Sequence, residues 1–168
     1  MEQVADRITA DYKSIDPAGA AYFDQLRAAF RTAVQPYHDR VAKIRASFTG
    51  LPVGATENIF VYLAQALGLH LISPPKFMQA VAEGNDPPAQ TVAEFNNQVS
   101  TKQIKVLVYN VQTSTSITEQ LKRLAAARGI PVVGISETLQ PAGATFQEWQ
   151  DAQLITLQNA LNAAALTH

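Results

Sequence analysis

Apolar positions in the first part of the chain recur at helical spacing. Val4, Ile8, Tyr12 and Ile15 fall three or four residues apart, which predicts an amphipathic helix. Asp16-Pro17 ends it and starts another, with Asp16 as N-cap and Pro17 at the first helical position. The second helix is expected from about Ala18 to Phe48, with Tyr22, Leu26, Ala29, Phe30, Ala33, Tyr37, Val41, Ile44 and Phe48 as its apolar stripe. Pro36 inside it should bend it, because proline lacks the N–H and crowds the preceding turn. A helix of this length is unusual for a compact domain and reads as a strut along a second lobe.

From Leu51 onward the pattern alternates between strand and helix. Leu51 to Thr56 is a strand, followed by a helix from Ile59 to Leu67 that Gly68 stops. Leu69 to Ile72 is a short strand, Pro74-Pro75 breaks it, and one or two helical turns run from Phe77 to Glu83. Asp86-Pro87 repeats the cap-plus-proline start for a helix reaching about Val99. Lys105 to Tyr109 is the cleanest strand, apolar and β-branched as a buried parallel strand should be. Ser116-Ile117-Thr118-Glu119 reads as a capping box for a helix to Ala127, with Gly129 beyond it. Pro131 to Ile135 is the last strand, and Phe146 to Leu166 a final long helix. Alternating strands and helices imply right-handed βαβ units. The predicted architecture is an α/β, three-layer lobe with a parallel sheet of about four strands flanked by helices, preceded by the long helix. Residues 1–49 form the helical segment and 50–168 the α/β lobe.

Two of these strands run into a glutamate: Leu51–Thr56 into Glu57, and Pro131–Ser136 into Glu137. Ligands of open parallel sheets bind just beyond the carboxyl ends of the strands. Two acids there make an oxygen-rich corner suited to a hard or borderline divalent cation. Acids after a strand also serve as helix caps or first-turn charges, and both readings fit these residues. The Thr113-Ser114-Thr115-Ser116 loop follows a central strand and is either a ligand-facing loop or a polar connection ending in a cap. Glu83-Gly84-Asn85-Asp86 reads as helix stop, turn and next N-cap.

The three histidines do not make a zinc site of their own. His38 is expected on a solvated helix surface, His70 in a structural place in a strand, and His168 at a disordered end; no H-x-x-x-H spacing occurs. Gly-x-Ser-x-Gly, P-loop and dinucleotide glycine patterns are absent. A net charge of -1 gives no electrostatic footprint for nucleic acid or an acidic membrane. The absence of cysteine removes disulfides and thiolate ligands and is compatible with an extracytoplasmic protein. No apolar run approaches the roughly 18 residues that a spanning helix needs. Met1 to Asp6 lacks a basic n-region and an apolar h-region, so it is no secretory signal and reads as the middle of a helix. The expectation is a chain that begins inside a longer protein.

Several segments taken in order resemble one known family. They are Ala55-Thr56-Glu57-Asn58-Ile59-Phe60 with Tyr62-Leu63 and Leu67-Gly68-Leu69; Glu83 to Pro87; Val106 to Asn110 with Gln112-Thr113-Ser114; and Gly129 to Val133 through Ser136-Glu137-Thr138-Leu139. Their order and spacing resemble the C-terminal lobe of the zinc/manganese-type (cluster A-I) solute-binding proteins of ABC importers. Asp16-Pro17 and the helix after it resemble that family's backbone helix. The resemblance implies a non-enzymatic, extracytoplasmic receptor that captures zinc or manganese as transported ligand and hands it to an ABC permease. It implies Glu57 and Glu137 as the two ligands of this lobe, and an N-terminal lobe, without counterpart here, that supplies two histidines. Two carboxylates alone bind a divalent cation weakly, so this chain by itself is expected not to bind zinc or manganese tightly. Apolar area normally covered by the other lobe is expected to be exposed, which favours a homodimer. The competing readings are a stand-alone α/β interaction module without metal and, behind it, one half of a two-lobed transferase.

Overall fold

A computed structural model describes residues 2–166. His168 lies outside the described residues. The chain forms two compact units, Met1–Asp39 and Arg40–His168.

The first unit is a helical hairpin. Helix α1 spans Glu2–Ile15, and α2 spans Ala20–Phe48 and continues into the second unit. Asp16 caps the turn between them: its carboxylate accepts from the Gly19 N–H at 3.2 Å, and Pro17 opens a short 3-10 turn. The cap expected from Asp16-Pro17 is therefore present. The stripe of α2 differs from the expected one in its first half. Tyr22 and Leu26 are exposed, while Phe23, Arg27, Phe30 and Val34 face inward. The reason is electrostatic: Arg27 turns into the hairpin, where it holds Glu2 and donates to Asp6 at 2.7 Å. That bond holds the Glu2 carboxyl below the ordinary carboxylate range. The His38 side chain is 41% exposed, as expected for a helix surface, but its Nε2 is buried 3.5 Å from Glu2 Oε1.

The second unit carries the sheet. Strands β1 (Pro52–Ala55), β2 (His70–Leu71), β3 (Leu107–Asn110) and β4 (Val132–Ile135) are all parallel, in the order β2-β1-β3-β4. Between them run α3 (Val61–Ala66), α4 (Pro75–Ala82), α5 (Ala89–Ser100) and α6 (Ser116–Ala127), and α7 (Phe146–Ala165) closes the chain. Phe77 and Val81 of α4, Phe95 and Val99 of α5, and Leu121 and Ala125 of α6 pack with Leu107 in one core. Gly54 of β1 faces this core; a Cβ there would lie 2.8 Å from Ile104 Cδ1 and 3.0 Å from the Phe95 ring, so glycine leaves these side chains their room. Helix α7 lies against β4 and buries Trp149, Leu154, Leu157 and Leu161. Arg40 clamps it with a forked ion pair to Asp151 (2.7 and 3.2 Å). No helix among the described residues is long and apolar enough to cross a membrane.

The expected fold is thus the observed one, with local corrections. Asp86 does not cap α5, which begins at Ala89 with Pro88 at the N-cap. Pro87 precedes another proline, and a residue in that place is pushed out of helical geometry. The capping box of α6 is set one residue earlier than expected, between Thr115 and Thr118. Glu119, expected in that box, instead accepts from Ser114 and Lys122. His70 is exposed on the edge strand and packs in no core.

Candidate metal centre

The order of strands creates the site. The chain leaves β1 toward one edge of the sheet and returns to place β3 on the other side of β1. Such a switch in strand order opens a crevice at the carboxyl ends, because the two crossovers diverge there. Glu57 follows β1 by two residues, Asn110 is the last residue of β3, and Glu137 follows β4 by two. All three stand on the same rim.

Their side chains meet. Asn110 Nδ2 donates to Glu57 Oε2 and to Glu137 Oε1, both at 2.9 Å. The two carboxylate oxygens are therefore no more than twice that distance apart, although eighty residues separate them in the chain. Neither acid forms an ion pair with a basic residue among the described residues. Neither caps a helix through its side chain: Glu57 stands at the N-cap of a 3-10 turn without a capping bond. Glu57 is only 6% exposed, whereas Glu137 is open to solvent.

Backbone and amide contacts fix this arrangement. Asn110 Oδ1 accepts from the Gln112 N–H (2.9 Å), and Gln112 Oε1 accepts from the N–H groups of Glu137 (2.7 Å) and Thr138 (3.2 Å). Ser136, just before Glu137, accepts from the Trp149 indole N–H (2.9 Å), and its own N–H donates to Gln153 (2.6 Å). The loop carrying Glu137 is thus tied to β3 on one side and to α7 on the other. Of the Thr/Ser loop, only Thr113 reaches the rim, with Oγ1 3.2 Å from Asn110 Nδ2. Thr115 of the same loop caps α6, which bears out the polar connection ending in a cap. Glu83 and Gly84 form a helix stop and turn, as expected.

Sequence reasoning missed Asn110 and Gln112. The signal was a polar residue ending the central apolar strand, one position beyond the strand expected from Lys105 to Tyr109.

The donor set consists of oxygens. Among the described residues no donor reaches Glu57 Oε1 or Glu137 Oε2, so each carboxylate keeps one oxygen for a ligand. This suits a hard or borderline divalent cation. Among the described residues, no group of three or more His, Cys, Asp or Glu side chains is assembled for a metal.

Solved structures share this fold at low sequence identity. A Zn(II)-bound mutant variant of AdcAII from Streptococcus pneumoniae aligns with a TM-score of 0.70 at 16% identity, over 95% of this chain and 56% of that one. The solute-binding protein FpvC of Pseudomonas aeruginosa, in complex with Mn2+, aligns at 0.66 and 17% identity, over 94% and 56%. The laminin-binding protein Lmb of Streptococcus agalactiae, described as having adhesin and metal-transporting activity, aligns at 0.69 and 18% identity, over 92% and 57%. This chain spans little more than half the length of these proteins. No curated protein sequence matches it. The family model described as "Zinc-uptake complex component A periplasmic" matches residues 1–160, and the chain belongs to that family.

Proposed function

We propose that this chain is the C-terminal lobe, with its backbone helix, of a non-enzymatic extracytoplasmic receptor for a divalent transition-metal ion. Residues 1–49 would be the helical segment and 50–168 the metal-presenting lobe. Glu57 and Glu137 are two of the ion's ligands, and an N-terminal lobe completes the shell. The loaded receptor delivers zinc or manganese to an ABC permease. One observation carries this reading: two carboxylates from distant parts of the chain converge on one rim, with no basic partner among the described residues. Like charges repel, and a divalent cation between them removes the repulsion. Carboxylates alone lean toward manganese, whereas imidazole from another lobe would favour zinc.

Calorimetric titration of the chain with manganese and zinc tests this. Weak one-to-one binding, lost when Glu57 and Glu137 are both changed to Gln, is the expected result. Tight binding by the chain alone, or unaltered binding by the double variant, would contradict it.

A second reading, a stand-alone interaction module, draws on the helical hairpin. Val4, Ile8, Tyr12, Ile15, Tyr22 and Leu26 are all exposed there. Exposed apolar side chains at helical spacing suit a partner, either an N-terminal lobe or a second copy of this chain. Sedimentation equilibrium should show self-association of the isolated chain; a strictly monomeric profile argues against the dimer.

A further inference from the structure

Asn110 is 1% exposed and ends the strand between those that carry the two acids. Its carbonyl oxygen is committed to the Gln112 N–H, so its NH2 group must face the rim. Three acceptors surround that one nitrogen: Glu57 Oε2 and Glu137 Oε1 at 2.9 Å, and Thr113 Oγ1 at 3.2 Å. An amide nitrogen has only two hydrogens. The charged acceptors are the nearer and take the stronger, charge-assisted bonds. Each carboxylate is thereby turned so that its second oxygen is left free. The group doing this is neutral, so it adds no anion to a rim that already holds two.

We propose that Asn110 is a positioning residue for metal capture. In the metal-free protein its amide gathers the Glu57 and Glu137 carboxylates on one rim and leaves their second oxygens free for a divalent cation, and its neutrality limits how tightly the ion is retained. This rests on Glu57 and Glu137 being ligands. Two terms follow from the geometry. Removing the amide frees two acids that repel each other, so part of the binding free energy must then gather them. Replacing the amide by a carboxylate of the same shape supplies a third acidic group at the same point, and affinity for hard cations rises with the number of charged ligands.

Electron paramagnetic resonance of free Mn2+ measures binding by the full 168-residue chain into the millimolar range. Asn110→Ala should bind about tenfold more weakly, the lower end of what loss of a partner hydrogen-bonded to a metal ligand produces. Asn110→Asp should melt at a lower temperature without metal and bind Mn2+ more tightly than the unaltered chain. A merely structural role would lower the melting temperature of both variants and leave the Mn2+ dissociation constant within about twofold, and that result overturns the proposal. If Asn110→Asp fails to fold, Asn110→Ala decides alone. Glu57→Gln/Glu137→Gln is the control: Mn2+ binding unchanged in that double variant, or none saturable in the unaltered chain, refutes the ligands themselves rather than the role of Asn110.

Discussion

Changing Glu57 to Gln removes one of two facing charges and keeps an oxygen for Asn110 to bond. The magnitude follows from the geometry. With both bonds near linear on a planar NH2 group, Glu57 Oε2 and Glu137 Oε1 are about 5 Å apart. Two unit charges at that distance repel by about 3 kcal/mol at an effective dielectric of about 20, and by less than about 1 kcal/mol in bulk water. Glu57 is buried but Glu137 is exposed, so a value near 1 kcal/mol is appropriate. Against this, the bond from Asn110 loses its charge assistance, a loss of about 1 kcal/mol. The desolvation of a buried carboxylate decides the sign, because a neutral amide is far easier to bury than an ion. Glu57→Gln is thus expected to stabilise the metal-free chain by about 1 kcal/mol. For a domain of this size that raises the melting temperature by about 2–4 °C in chelator-treated buffer. Millimolar manganese should erase or reverse the order, since only the unaltered chain gains from the ion. A metal-free melting temperature that is unchanged or lower in the variant would refute the reasoning, for it would mean that the two acids do not oppose each other.

Three further outcomes follow from the same structure. Gly54→Ala should lower the urea midpoint by an amount equivalent to about 1–3 kcal/mol, because its Cβ would press on Ile104 at 2.8 Å and Phe95 at 3.0 Å. An unchanged midpoint would show that this core yields. The Glu148 carboxyl is held below its usual range by the Thr145 N–H and then the Thr145 hydroxyl, and that of Glu119 by Lys122 and then Ser114. A depressed carboxyl stabilises the fold above its ordinary value of 4.5 and loses that contribution as pH falls through the lower folded value. Glu148→Gln should therefore be less stable than the unaltered chain near neutral pH and equal to it once the pH has fallen below the lowered folded value; a difference that persists in stronger acid would rule out the charge as its cause. Asp151→Ala should loosen α7 by about 1–3 kcal/mol, since it leaves Arg40 with Gln158 Oε1 as its remaining partner on that helix, and hydrogen exchange along α7 reads the loss. Unaltered exchange there would mean that the Gln158 bond and apolar packing suffice to hold the helix.

Most of the lobe was legible because its signals are local. Short apolar runs between helical stretches mark the strands, and Gly68, Gly84 and Gly129 all adopt the positive φ that stops a helix. Glu57 and Glu137 could be named because they follow strands, and strand ends in a parallel sheet share one rim. What was not legible depends on tertiary partners. Tyr22 and Leu26 fit a helical stripe as well as Phe23 and Val34 do, and the rotation of α2 is set by contacts to α1, with Arg27 against Glu2 and Asp6 and Phe23 against Tyr12. Asp86 carried a valid cap signal that the second proline of Pro87-Pro88 overrides. Asn110 looked like the polar end of a strand, because its partners lie 53 and 27 residues away and no periodicity encodes them.

Anomalous diffraction from crystals of the chain equilibrated with manganese tests the central claim most directly. A single strong peak within coordination distance of both the Glu57 and the Glu137 carboxylates is the predicted result. A peak that touches only one of them, or that lies among other acids while this rim stays empty, would contradict the account.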